Sequence, residues 1–152
     1  MMKKINLLFI ACFCIWNSSF SQNAQVEKSI FGIQTGLLGI WVHNEARLAP
    51  KIALRSEIGF DAGFWISSYK EDGFAMIPTI TLEPRYYYNL EKREAKGKKV
   101  HHNAANFLSL DVNYIPNWFV ISNVDNVEVV ETISFIPKWG IRRNIGQHLI
   151  TK

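Results

Sequence analysis

The chain has 152 residues, of which 48% are hydrophobic, 20% charged and 13% aromatic, with a formal net charge of +4. That length fits one domain, and the hydrophobic content excludes a chain held disordered by its charge. So mild a positive balance makes no case for nucleic acid. Past residue 25 no stretch reaches the ~18 consecutive apolar residues of a membrane-spanning helix, which excludes a multi-helix membrane protein.

The first element is a leader. Met1-Met2-Lys3-Lys4 is a short basic start, residues 5–16 are apolar apart from Asn6, and residues 17–22 form a polar tail around Phe20, with small side chains at Ser19 and Ser21. This is the layout of a secretory signal peptide over residues 1–21, with cleavage after Ser21. Lipid attachment at Cys12 is the competing form of processing. Both cysteines, Cys12 and Cys14, lie inside the leader. The exported remainder, 22–152, is then free of thiols, so disulfides and cysteine-ligated metals are not expected.

After a polar lead come runs that alternate with a period of two, in which successive side chains point to opposite faces of a strand. Residues 30–42 are the least regular: Phe31, Ile33, Leu37 and Trp41 share one face, and Leu38 and Ile40 spoil the other. Residues 51–67 are the clearest. Ile52, Leu54, Ile58, Phe60, Phe64 and Ile66 face one way, and Arg55, Glu57 and Asp61 the other. Residues 74–88, 107–118 and 132–142 repeat the pattern. Spans 43–50, 68–73, 89–105 and 123–126 carry polar and turn residues and read as connections. No helical period is visible past the leader. The fold class expected is all-β, an up-and-down antiparallel meander with five to six strands visible.

Alternation fits two architectures. A soluble sandwich or lipocalin-like barrel keeps the apolar face as its core. An outer-membrane barrel turns that face to lipid and lines its interior with the polar one. Runs of about 12 to 17 residues exceed the 5 or 6 usual in soluble strands and suit tilted membrane strands. Trp41, Phe64, Phe74, Tyr86, Tyr88, Tyr114, Trp118 and Trp139 gather toward strand ends, as in an aromatic girdle. Both features favour the membrane reading. On the polar faces, Arg55, Arg85, Lys138 and Arg142 balance Glu57, Asp61, Glu83 and Asp111. Equal numbers predict an interior charge network that closes the lumen rather than a selective pore, since buried charges persist when paired.

Residues 54–59 (LRSEIG), 82–90 (LEPRYYYNL) and 139–144 (WGIRRN) resemble the small outer-membrane β-barrel domain proteins of Gram-negative bacteria. The likeness covers most of residues 26–148 and is one of strand texture. It implies a partial transmembrane barrel in the outer membrane, with lipid and the barrel-assembly machinery as partners. Such barrels have an even count of eight or more strands and end on an aromatic residue. Residues 147–152 have no terminal aromatic, so a barrel domain incomplete at its C-terminus is expected.

The expected role is structural, adhesive or surface-interacting, without enzymatic activity, cofactor or metal. A soluble exported barrel binding a hydrophobic ligand and a small-solute channel are the alternatives. His43, His101, His102 and His148 fall in connections or near the end, away from any serine and aspartate set for nucleophilic catalysis. His101 and His102 read as solvated, because adjacent side chains on an extended chain point apart. The basic stretch 91–99 reads as a solvated loop or a contact for anionic lipid headgroups.

Overall fold

The structure is a computed structural model that describes residues 24–66, 72–145 and 149–151. The leader over 1–21, its cysteines and His148 lie outside the described residues, as does most of the connection read over 68–73.

Among the described residues nine strands run in chain order: β1 (Ser29–Gly36), β2 (Gly39–Ala49), β3 (Ile52–Trp65), β4 (Gly73–Tyr87), β5 (Asn106–Ile115), β6 (Ile121–Ser122), β7 (Thr132–Ile141), β8 (Arg143–Ile145) and β9 (Leu149–Thr151). Seven form one antiparallel sheet in the order β1-β2-β3-β4-β5-β7, with β6 paired to the far end of β4. β8 and β9 form a separate hairpin. The all-β meander is present, and the sheet is not closed into a barrel.

The first predicted strand is corrected. Residues 30–42 form two strands, joined by a tight turn at Leu37-Leu38 that sets Gly36 opposite Gly39. Gly39 has φ +142, and a Cβ there would lie 2.0 Å from the Phe60 carbonyl oxygen, so glycine is required. The turn also reverses the parity of the faces. Even positions of β1 share a side with odd positions of β2: Ile30 pairs with Glu45, Gly32 with His43 and Gln34 with Trp41. Leu38 and Ile40 therefore do not spoil a polar face. The span 43–50 is not a connection either, since β2 runs to Ala49 with a bulge between Arg47 and Ala49.

β3 and β4 are fully registered over 14 pairs, from Ile52↔Tyr86 to Trp65↔Gly73. β5 ends at Ile115 because Pro116 has no N–H to give the ladder. Where β5 stops, β6 takes over beside β4 at Ala75 and Met76. The connection 89–105 holds a five-residue helix, α1 (Leu90–Glu94), and a 3-10 turn (His101–Asn103). No helical period was visible there because one turn of helix is too short to show one.

The sheet curls so that one side is concave. A small apolar cluster of Ala24, Val26, Ala53, Tyr87, Leu90, Ala105 and Phe107 fills the end of this concave side nearest the N-terminal segment. That segment is docked by Val26 N–H donating to the Pro50 carbonyl at 2.9 Å. We call this the capped end. The Phe107 ring lies against Gly140 on β7, where a Cβ would sit 2.2 Å from the ring.

Candidate functional site

Farther along the concave side the enclosed residues are charged. Glu45 on β2 is fully buried and stands at the centre of the cluster. Its carboxylate accepts from Arg85 Nη1 at 2.8 Å, Arg142 Nη2 at 2.8 Å and the Tyr87 hydroxyl at 2.7 Å, and from the Asn103 side-chain amide. Arg85 also pairs with Glu83, which accepts from Ser109 Oγ at 2.7 Å. The guanidinium of Arg85 rests over the Phe107 ring, 4.6 Å from its centroid. Two carboxylates and two guanidinium groups thus neutralise one another, which offsets the desolvation that burial imposes.

The eight charged residues expected on this face are brought together in part. Glu83, Arg85 and Arg142 join around Glu45. Arg55 pairs with its strand neighbour Glu57 and donates to Gln34 at 3.2 Å. Asp111 pairs with Lys138 at the more exposed edge by β7. Asp61 accepts from Trp41 Nε1 at 2.7 Å and Thr79 Oγ1 at 3.4 Å. Glu45 was missed because 43–50, with four polar residues in five positions, reads as a turn. Tyr87 and Asn103 were missed too; Asn103 is fixed by contacts that sequence does not display.

These carboxylates are occupied by guanidinium groups, a phenol and an amide. Such an arrangement fixes geometry across β2, β4 and the segment after β7. It ties together strands that are not neighbours in the sheet.

The aromatic residues fall at opposite ends of the convex side, with one correction. Tyr86, Tyr88 and Trp139 lie toward the capped end, where Trp139 Nε1 donates to the Tyr88 hydroxyl at 2.8 Å. Phe64 and Phe74 stack at 5.4 Å toward the other end. Tyr114 there donates to Glu131 at 2.6 Å, and Trp118 follows β5. Trp41 is the correction. The parity reversal at Leu37-Leu38 turns it to the concave side, where it bonds Asp61.

The histidines also depart from expectation. His43 lies within β2, opposite Glu57 and Gly32. His101 and His102 are not on extended chain: His102 has φ +52, and the two rings approach to 3.8 Å. With Glu27 they form a group whose donor atoms all lie within 4.8 Å of one another. In the basic stretch 91–99, Arg93 donates to the Lys99 carbonyl at 3.1 Å. Glu91 bonds Lys51 at 2.8 Å across from the β2–β3 turn. That hydrogen bond, and the negative charge behind it, raise the Lys51 ammonium above the ordinary lysine value.

No family model, no curated protein and no solved structure matches this chain.

Proposed function

We propose that this chain is wall material of an outer-membrane β-barrel in a Gram-negative envelope, with an occluded polar interior and a structural or surface-interaction role rather than a catalytic one. The observation that carries this is the inverted distribution of side chains. On the concave side Glu45 is 0% exposed and Arg85 1%, while on the convex side Ile58 is 58%, Leu108 50% and Phe135 66% exposed. A soluble domain buries the second set and solvates the first. Lipid reverses that preference.

The aromatic spacing supports the same reading. Tyr86 and Phe74 are twelve residues apart on β4, about 40 Å along an antiparallel strand. At a tilt of about 45° this is a rise of about 29 Å, close to the ~30 Å hydrocarbon core. The leader supplies export, and the barrel-assembly machinery is the partner that insertion requires. Lys92, Arg93, Lys96, Lys98 and Lys99 at the capped end suit contact with anionic headgroups. Because unpaired edges are not viable in lipid, β1 and β7 need partner strands for closure. The ion-paired concave side disfavours both an open channel and a pocket for a hydrophobic ligand.

The test is heat modifiability of the full chain folded into outer-membrane lipid vesicles. A folded membrane barrel resists cold detergent and changes gel mobility on boiling. A chain that is monomeric and folded in buffer without detergent, and that stays out of vesicles, overturns the proposal.

A further inference from the structure

We infer that Glu27, His101 and His102 form a binding site for a zinc-like divalent transition-metal ion at the capped end. The inference stands apart from the membrane reading, since it rests on how the N-terminal segment meets the 89–105 connection.

Two imidazoles and one carboxylate are a ligand set that suits zinc, with water completing a tetrahedron. In such a site, bonds of about 2.0–2.2 Å put the ligand atoms roughly 3.3 Å apart. Here the donor atoms already lie within 4.8 Å of one another, and His101 Nε2 is 3.6 Å from Glu27 Oε1. Small side-chain rotations close the remainder. The side chain of His101 is 66% exposed and that of Glu27 32%, so ion and water can enter from solvent.

Neighbouring histidines converge here because the backbone is held in an unusual form. His102 and Asn103 both have positive φ, 52° and 56°, a region that non-glycine residues seldom adopt. Four hydrogen bonds hold it. Arg142 Nη1 donates to the His102 carbonyl at 3.1 Å, and Asn144 Nδ2 to the His101 carbonyl at 2.8 Å. The Glu27 N–H donates to Asn103 Oδ1 at 2.7 Å, and the His102 N–H to Glu27 Oε1 at 2.6 Å. The last bond orients the carboxylate, as supporting groups do around metal ligands. Arg142 and Asn103 are themselves fixed by buried Glu45, so the trio is anchored in the rigid concave cluster. A bound ion would clasp the N-terminal segment to the connection and secure the capped end.

The experiment is calorimetric titration of the purified, folded full chain with zinc chloride. One ion per chain is expected, with no comparable binding of magnesium or calcium, whose preference is for oxygen ligands. His101→Ala and His102→Asn each remove a direct ligand; Asn tolerates positive φ, so the backbone is kept. Each should weaken binding by no less than the ~10–100-fold that loss of an outer partner costs, while His43→Asn leaves it unchanged. Stoichiometric binding that survives when His101→Ala and His102→Asn are combined, or its absence from the wild type, overturns the inference. Should the variants not fold, copper(II) bound to the wild type decides by electron paramagnetic resonance. Two coordinated nitrogens support the site, and fewer overturn it.

Discussion

Glu45 and Arg142 stand 97 positions apart in the chain and 2.8 Å apart in the fold. Glu45 also neutralises Arg85, so its loss strands the buried Arg142 guanidinium and leaves Arg85 with Glu83 alone. Removing one partner of a buried ion pair typically costs about 3–5 kcal/mol. Glu45→Ala should therefore lower the urea midpoint sharply, read by tryptophan fluorescence. Lys138→Ala breaks a pair whose lysine side chain is 40% exposed and should cost at most about 1 kcal/mol. Equal shifts for the two variants would refute the central role of Glu45.

Gly140→Ala places a methyl group 2.2 Å from the Phe107 ring. Overpacking of this kind costs about 1–3 kcal/mol. Phe107→Leu makes room, so the double variant should be more stable than the sum of the single changes implies. A thermodynamic cycle from four unfolding curves measures that coupling, and strict additivity would contradict the contact.

Ile58 lies in the middle of β3, registered between Val42 and Ile80 on the convex side. Ile58→Arg distinguishes lipid from water there. Facing the bilayer midplane, the change should cost about 2–4 kcal/mol. Facing water, it should stay within about 0.5 kcal/mol. Unfolding in lipid vesicles gives the answer, and the smaller value would count against the membrane reading.

Lys51 titrates above the ordinary lysine value because Glu91 bonds its charged form. A raised value in the folded chain means that the stabilisation is complete at neutral pH. It is lost only as pH climbs above about 10.5 and through the folded value. Glu91→Gln should move the Lys51 ammonium resonance to a lower titration midpoint and remove at pH 7 the small stabilisation that an exposed pair supplies. An unshifted midpoint would show that the pair does not form in solution.

Strands β3, β4, β5 and β7 could be read from the chain because each alternates over ten or more residues. The β1–β2 hairpin could not. Its turn, Leu37-Leu38, carries no polar turn residue, so two short strands pass for one irregular strand. That error put Trp41 on the wrong side and hid Glu45. The charge pairs within a strand, Arg55 with Glu57 and Glu83 with Arg85, follow from a period of two. The Glu45–Arg142 pair depends instead on how far the sheet curls, which local sequence does not encode. The convergence of His101 and His102 depends on positive φ at His102 and on bonds from Glu27, Arg142 and Asn144.

The order of strands in the sheet also governs assembly. From β1 to β4 each strand lies beside its predecessor in the chain across a short connection, so these hairpins form with a small closure entropy, and β5 joins β4 across the longer span 88–105. The contact between Glu45 and Arg142 must wait until the strands between them have zipped and curled. It acts as a latch on a finished ribbon, so its removal should mainly hasten unfolding and leave the rate of folding little changed.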